Sequence, residues 1–247
     1  MPHTVKTLRV PVDSIVSGDC ELDREASHYV LHVHRMREGM PLELFDAECG
    51  LEAEATLLSS TAKTARCRVG LPRATRAVPN HPVTLVQSLA KGDKLERVVR
   101  DATALGVTRI VMVAANRSIV RVDASEREQR RQRCRRIAIE AARQSGRGNV
   151  PSILGPFALD EGARLVQDCP LRVLLSPDAS VRLSSLLVGR VAVPVAVCIG
   201  PEGGFEPNEE GLLRASGFEV VRFGDFTLRT ETAATAVLGA LVDWAVR

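Results

Sequence analysis

Aromatic residues are scarce in this 247-residue chain, with six Phe, one Tyr and one Trp, so stacking platforms for bases are few. Cys20, Cys49, Cys67, Cys134, Cys169 and Cys198 are dispersed with no Cys-x-x-Cys pair, which argues against a zinc ribbon or a disulfide framework and points to free thiols. His28, His32 and His34 crowd together, but no acid or cysteine cluster accompanies them, so they read as surface or partner-facing histidines, not as metal ligands. No apolar run reaches the roughly 18 residues that a bilayer-spanning helix needs, and Met1 to Val10 lacks the apolar core of a signal peptide. A cytoplasmic protein engaging neither membrane nor metal is expected. No Gly-x-Gly-x-x-Gly follows a strand, which argues against dinucleotide enzymes and Rossmann-like methyltransferases. A Gly-x-x-x-x-Gly-Lys phosphate loop and a serine nucleophile elbow are missing as well.

The formal net charge of +3 would not by itself indicate a nucleic-acid partner, but the basic residues are unevenly placed. Arg127, Arg130, Arg131, Arg133, Arg135, Arg136, Arg143 and Arg147 make a basic helix and its exit loop. Only four of the 33 basic residues are Lys, and the planar fork of Arg suits phosphate oxygens and base edges.

Hydrophobic periodicity divides the chain. Residues 1–72 carry short alternating segments, Pro41–Phe45, Leu51–Leu58 and Thr64–Val69, with a helix-spaced stretch over Ala26–Met36, and so predict a small β-barrel. Residues 73–82 have two prolines and no periodicity and read as a linker. From 83 to 247 strands alternate with helices. The expected strands are Val83–Val86, Arg109–Val113, Leu171–Leu175, Val191–Cys198 and Phe218–Phe223; the helices are Asp93–Leu105, Glu126–Ser145, Ser180–Val188 and Thr232–Val246. That pattern predicts an α/β domain with a parallel sheet covered on both faces.

Two glycine turns stand at strand ends in this second region. Ile199-Gly200-Pro201-Glu202-Gly203-Gly204-Phe205 follows one apolar strand and runs into Pro207, placed to start a helix; Phe223-Gly224-Asp225-Phe226-Thr227-Leu228-Arg229 follows another and enters the last helix. Glycines at adjacent strand ends form a crevice in which backbone can approach a ligand, with Leu175, Ile199 and Leu228 as apolar walls.

Gly200-Pro201-Glu202-Gly203-Gly204 and Leu228-Arg229-Thr230-Glu231-Thr232-Ala233 resemble the 16S ribosomal RNA (uracil-N3)-methyltransferases, the RsmE family of the SPOUT superfamily. Matching blocks stand upstream in the same order: Gln87 to Lys94, Ala104 to Val107, Arg117-Ser118 and Glu140 to Arg147. The chain departs from the family in the second loop, where Phe226-Thr227-Leu228-Arg229 replaces Arg-Ile-Leu-Arg, and Gly224-Asp225-Phe226 looks like the loop of tRNA (guanine-N1)-methyltransferases. The alternatives are therefore such a tRNA enzyme, or an RNA-binding ribosome-assembly factor without turnover.

The resemblance implies a SPOUT methyltransferase domain with a C-terminal trefoil knot, preceded by a PUA-like RNA-binding barrel, in a homodimer. It implies S-adenosylmethionine (AdoMet) as cofactor, held by Leu175, Ile199, Gly200, Gly203, Gly204, Phe223, Gly224, Leu228, Thr230 and Thr232, and 16S rRNA, in the assembled small ribosomal subunit, as partner. RNA contacts are expected at Arg9, Arg35, Arg117, Arg121, Arg143, Gln144 and Arg147. Uracil N3 is an imide nitrogen whose proton must leave, so Arg229 is expected to stabilise charge on the flanking carbonyls, and Glu202 and Glu231 to orient the base or move the proton.

Overall fold

The computed structural model describes residues 7–75, 77–117 and 124–246. The chain divides into two compact units, Met1–Val78 with Ala142–Val150, and Pro79–Ala141 with Pro151–Arg247.

In the first unit, strands β1 (Leu8–Pro11), β2 (Gly18–Glu21), β3 (Pro41–Asp46), β4 (Leu51–Ser60), β5 (Ala65–Val69) and β6 (Arg73–Ala74) share one sheet. Its order is β1-β3-β4-β5-β2, with β6 on β4. Alternation does the work: Ala53, Ala55 and Leu57 of β4 and Ala65, Cys67 and Val69 of β5 bury one face. That face packs on Ala26 and Val30. Helix α1 (Arg24–His28) starts at Asp23, whose carboxylate accepts from Ala26 N at 2.8 Å. The helix expected over Ala26–Met36 is shorter and irregular, because α1 gives way to a π-helical turn at Tyr29–Val33 and Arg35 takes a left-handed φ of 51°. Strand β6 occupies the start of the segment that composition reads as linker.

In the second unit, the elements are β7 (Val83–Ser88), α2 (Lys94–Leu105), β8 (Arg109–Ala114), α3 (Ala124–Ser145), β9 (Ser152–Ala158), α4 (Leu159–Arg164), β10 (Leu171–Leu175), α5 (Leu183–Leu187), β11 (Val195–Ile199), α6 (Pro207–Ala215), β12 (Glu219–Val221) and α7 (Thr230–Val246). The last turn of α3 belongs to the first unit. The sheet is parallel throughout, in the order β12-β10-β11-β7-β8-β9. Every residue of β7 and β11 is buried, as expected of central strands with helices on both faces. Helix α2 turns Leu95, Val98, Val99 and Ala102 inward and ends at Gly106, whose φ of 99° suits a residue without Cβ. Strand β11 begins at Val195 and not at Val191, since Pro194 has no N–H to give the ladder and Val191 is exposed. Among the described residues no helix is long and apolar enough to cross a membrane.

Candidate active site

The C-terminal ends of β10, β11 and β12 lead to Leu175, Ile199 and Phe223, and a cavity of about 550 Å³ opens there. Its size suits a small-molecule ligand, and its place, outside the carboxyl edge of a parallel sheet, is where open α/β sheets bind one. Gly200 to Phe205 forms one wall, Phe226 to Thr230 the other. The first loop is tight: a Cβ on Gly200 would stand 3.3 Å from the Phe205 ring, and Gly204 has a left-handed φ of 69°. A larger cavity, about 960 Å³, backs on to the second loop through Phe223 and Gly224 and is walled by Leu187, Val188, Val191 and Trp244. The smaller one is the better candidate, because both glycine loops converge on it.

Several loop groups are already engaged. The Gly200 carbonyl accepts from the Thr230 hydroxyl at 2.8 Å, and the Gly203 carbonyl from Arg117 Nη1 at 2.7 Å. Glu202 is ion-paired with Lys94 Nζ at 2.6 Å. Burial pushes the Glu202 carboxyl up, but the Lys94 ammonium and backbone N–H groups outweigh it and hold the group below its ordinary range. Glu202 is thus an ionised brace between the first loop and the start of α2. Glu209, buried in α6, accepts from Asn116 N at 2.7 Å and Glu206 N at 2.8 Å, fixing the loop after β8 to the end of the first glycine loop. Asp225 pairs with Arg182 and Arg222, which shapes the second loop. Arg229 lines the cavity, and among the described residues no hydrogen bond or ion pair engages its guanidinium.

A family model described as RNA methyltransferase domain matches residues 78–242. The chain belongs to this RNA methyltransferase family. The Ribosomal RNA small subunit methyltransferase E of Bacillus subtilis is 30% identical to it over 227 residues, 88% of this chain and 87% of the relative. That of Mycobacterium tuberculosis is 30% identical over 224 residues, 89% and 84% of the two chains. Among solved structures, the Ribosomal RNA small subunit methyltransferase E from Neisseria gonorrhoeae bound to S-adenosyl methionine matches with a TM-score of 0.83 at 28% identity, covering 95% of this chain and 96% of that one. A candidate methyltransferase from Legionella pneumophila in complex with the cofactor SAM matches with a TM-score of 0.88 at 30% identity, covering 96% and 97%.

In this RNA methyltransferase, eight of the ten residues that the resemblance implies for the cofactor line the cavity together: Leu175, Ile199, Gly200, Gly203, Gly204, Phe223, Leu228 and Thr230. Arg229 and Glu202 line it too. Gly224 lies on the larger cavity instead, and Thr232 and Glu231, in the first turn of α7, line neither. Of the residues expected to touch RNA, Arg117 is in the cavity wall, while Arg35 and Gln144 are exposed. Arg143 is half-buried, with its guanidinium carbon 4.7 Å from the Tyr29 ring centre. Arg9 and Arg147 are turned inward. Arg9 pairs with Glu43 at 2.6 Å, lies 4.4 Å over the Phe45 ring and donates to the Arg147 carbonyl. Burial brings the Arg147 guanidinium down to about 10. Arg121 falls outside the described residues. Sequence reasoning assigned no role to Gln87 or Lys94; a polar Gln inside the apolar run of β7 is the signal that could have flagged the first.

Proposed function

We propose that this protein transfers the methyl group of AdoMet to N3 of a uridine in the 16S rRNA of the small ribosomal subunit. The observation that carries this reading is the pairing of a backbone-walled cavity at the ends of β10, β11 and β12 with a cation on its rim, Arg229, that has no partner among the described residues. It is supported by the relatives named as small-subunit rRNA methyltransferases and by neighbours solved with bound SAM. The cavity fits the cofactor in kind, with Leu175, Ile199 and Leu228 as apolar walls and a Gly200–Gly204 cradle that side chains would fill. Bound AdoMet supplies an activated methyl group, so the protein's task is placement.

Arg229 stabilises the negative charge that spreads to the uracil carbonyls as N3 loses its proton to solvent water. Glu202, committed to Lys94, orients the loop. N3 is tied up in Watson–Crick pairing, so the base enters unpaired, with Phe226, 85% exposed at the cavity mouth, beside it. The first unit acts as the PUA-like RNA-binding barrel, and the second carries the SPOUT knot. The protein works in the cytoplasm as a homodimer; Val188 and Val191, exposed apolar residues on the larger cavity, support a self-association surface. Purified protein given labelled AdoMet and small subunits lacking the modification should label 16S rRNA. Label in tRNA alone would refute the reading.

A further inference from the structure

We propose that Gln87 is a positioning residue for the cofactor cradle, acting through the Thr230 hydroxyl on the Gly200 carbonyl. The inference rests on the AdoMet reading of the glycine-loop cavity. Gln87 sits at the C-terminal end of β7, in register with Ile199 of β11 on one side and Met112 of β8 on the other. Its side chain is completely buried. Its Nε2 donates to Thr230 Oγ1 at 3.1 Å and to the Ser88 carbonyl at 3.1 Å, and Thr230 Oγ1 lies 2.8 Å from the Gly200 carbonyl.

The direction of this relay is fixed by proton count. Turning the amide over would set its oxygen against the Ser88 carbonyl, so the nitrogen must face both acceptors. Thr230 Oγ1 therefore accepts a hydrogen bond from Gln87 and donates its own hydroxyl hydrogen to the Gly200 carbonyl. The relay joins three segments that are distant in sequence: the end of β7, the first residue of α7 and the first residue of the Gly200–Gly204 loop. Gly200 is packed against the Phe205 ring and Gly204, so the orientation of its peptide is passed along the cradle.

A purely structural role would not favour Gln here. Gln87 Oε1 is buried with no hydrogen-bond partner among the described residues, and so is the neighbouring Ser88 Oγ. An apolar side chain of the same length would avoid that desolvation penalty and suit the strand better. Gln87 is therefore kept at a cost to stability, which the relay explains.

The test is a double-mutant cycle read as AdoMet affinity by calorimetry, with Tm measured on the same samples. Gln87→Met and Thr230→Val should each weaken AdoMet about tenfold, the effect of one buried hydrogen bond. The double variant should be no weaker than either single one, and Thr230→Ser, which keeps the hydroxyl, should bind within about threefold of wild type. Gln87→Met should match or exceed the wild-type Tm. Additive losses, wild-type affinity in Gln87→Met, or equal affinities in Thr230→Val and Thr230→Ser overturn the relay. If Gln87→Met does not fold, the comparison of the two Thr230 variants decides. A wild-type protein that fails to bind AdoMet overturns the cofactor reading and the relay with it, whereas normal wild-type binding with unaffected variants overturns the relay alone.

Discussion

Arg229→Ala separates chemistry from architecture. The structural contribution of Arg229 is made by its main chain, whose carbonyl accepts from Ala233 N at 2.8 Å in the first turn of α7, and alanine preserves that bond. The side chain is exposed on the cavity rim and engages no partner among the described residues, so its removal should change stability by no more than about 0.5 kcal/mol. For a chain of this length that corresponds to a Tm shift of about 2 °C or less. Its proposed work is to stabilise charge that develops only as N3 loses its proton, and removal of one such preorganised donor costs about 10²–10³ in rate, or about 2.7–4 kcal/mol. The assay is single-turnover transfer from labelled AdoMet to small subunits lacking the modification, with cofactor affinity measured separately. A slowed rate at near-normal Tm and AdoMet affinity is the expected outcome. An unchanged rate refutes the role, and a loss confined to AdoMet affinity makes Arg229 a cofactor ligand.

A Cβ on Gly203 would meet Arg117 Cδ at 3.2 Å, so Gly203→Val should push Arg117 off the Gly203 carbonyl and abolish AdoMet binding while leaving Tm near wild type; cooperative unfolding in its place would mark the loop as a folding element. Arg147→Ala should destabilise the protein by on the order of 2 kcal/mol in denaturant titration, because the side chain is buried and bonded to Asn149. Arg143→Glu should instead lower the salt dependence of RNA binding by about one phosphate contact, and a wild-type slope would place it on a solvated face. Burial raises the Cys67 and Cys134 thiols from 9.0 to about 11, so the folded state keeps protons that the unfolded chain releases. Their contribution is fully present below pH 9 and should fall by about 1.4 kcal/mol per thiol per pH unit up to pH 11; Cys134→Ala should flatten that decline.

The elements that position the site were legible because they are long or strongly patterned. Strands β7, β8 and β10 are short continuous apolar runs, α2 is a clear amphipathic helix, and the two glycine turns announce the strand ends that build the cavity. Strand β9 was missed because Gly155-Pro156 interrupts a weak pattern, and β1 and β2 because four-residue strands carry too little periodicity. Charge in a sequence does not reveal what neutralises it. Arg9 looked like an RNA contact, yet Glu43 and the Phe45 ring take it up from a distant strand. The sequence makes Glu202 a candidate to orient the base or move the proton and does not reveal that Lys94 pairs with it. The assignment of Ala142–Val150 to the first unit was equally hidden, since it depends on contacts such as that between Arg9 and the Arg147 carbonyl, remote in the chain.

Nucleoside mass spectrometry of rRNA and tRNA from a strain lacking this protein tests the central claim most directly. The account predicts that 16S rRNA loses one N3-methyluridine, that tRNA is unchanged, and that wild-type protein but not Arg229→Ala restores the lost nucleoside at a normal rate. Intact 16S methylation together with a missing N1-methylguanosine in tRNA would contradict it.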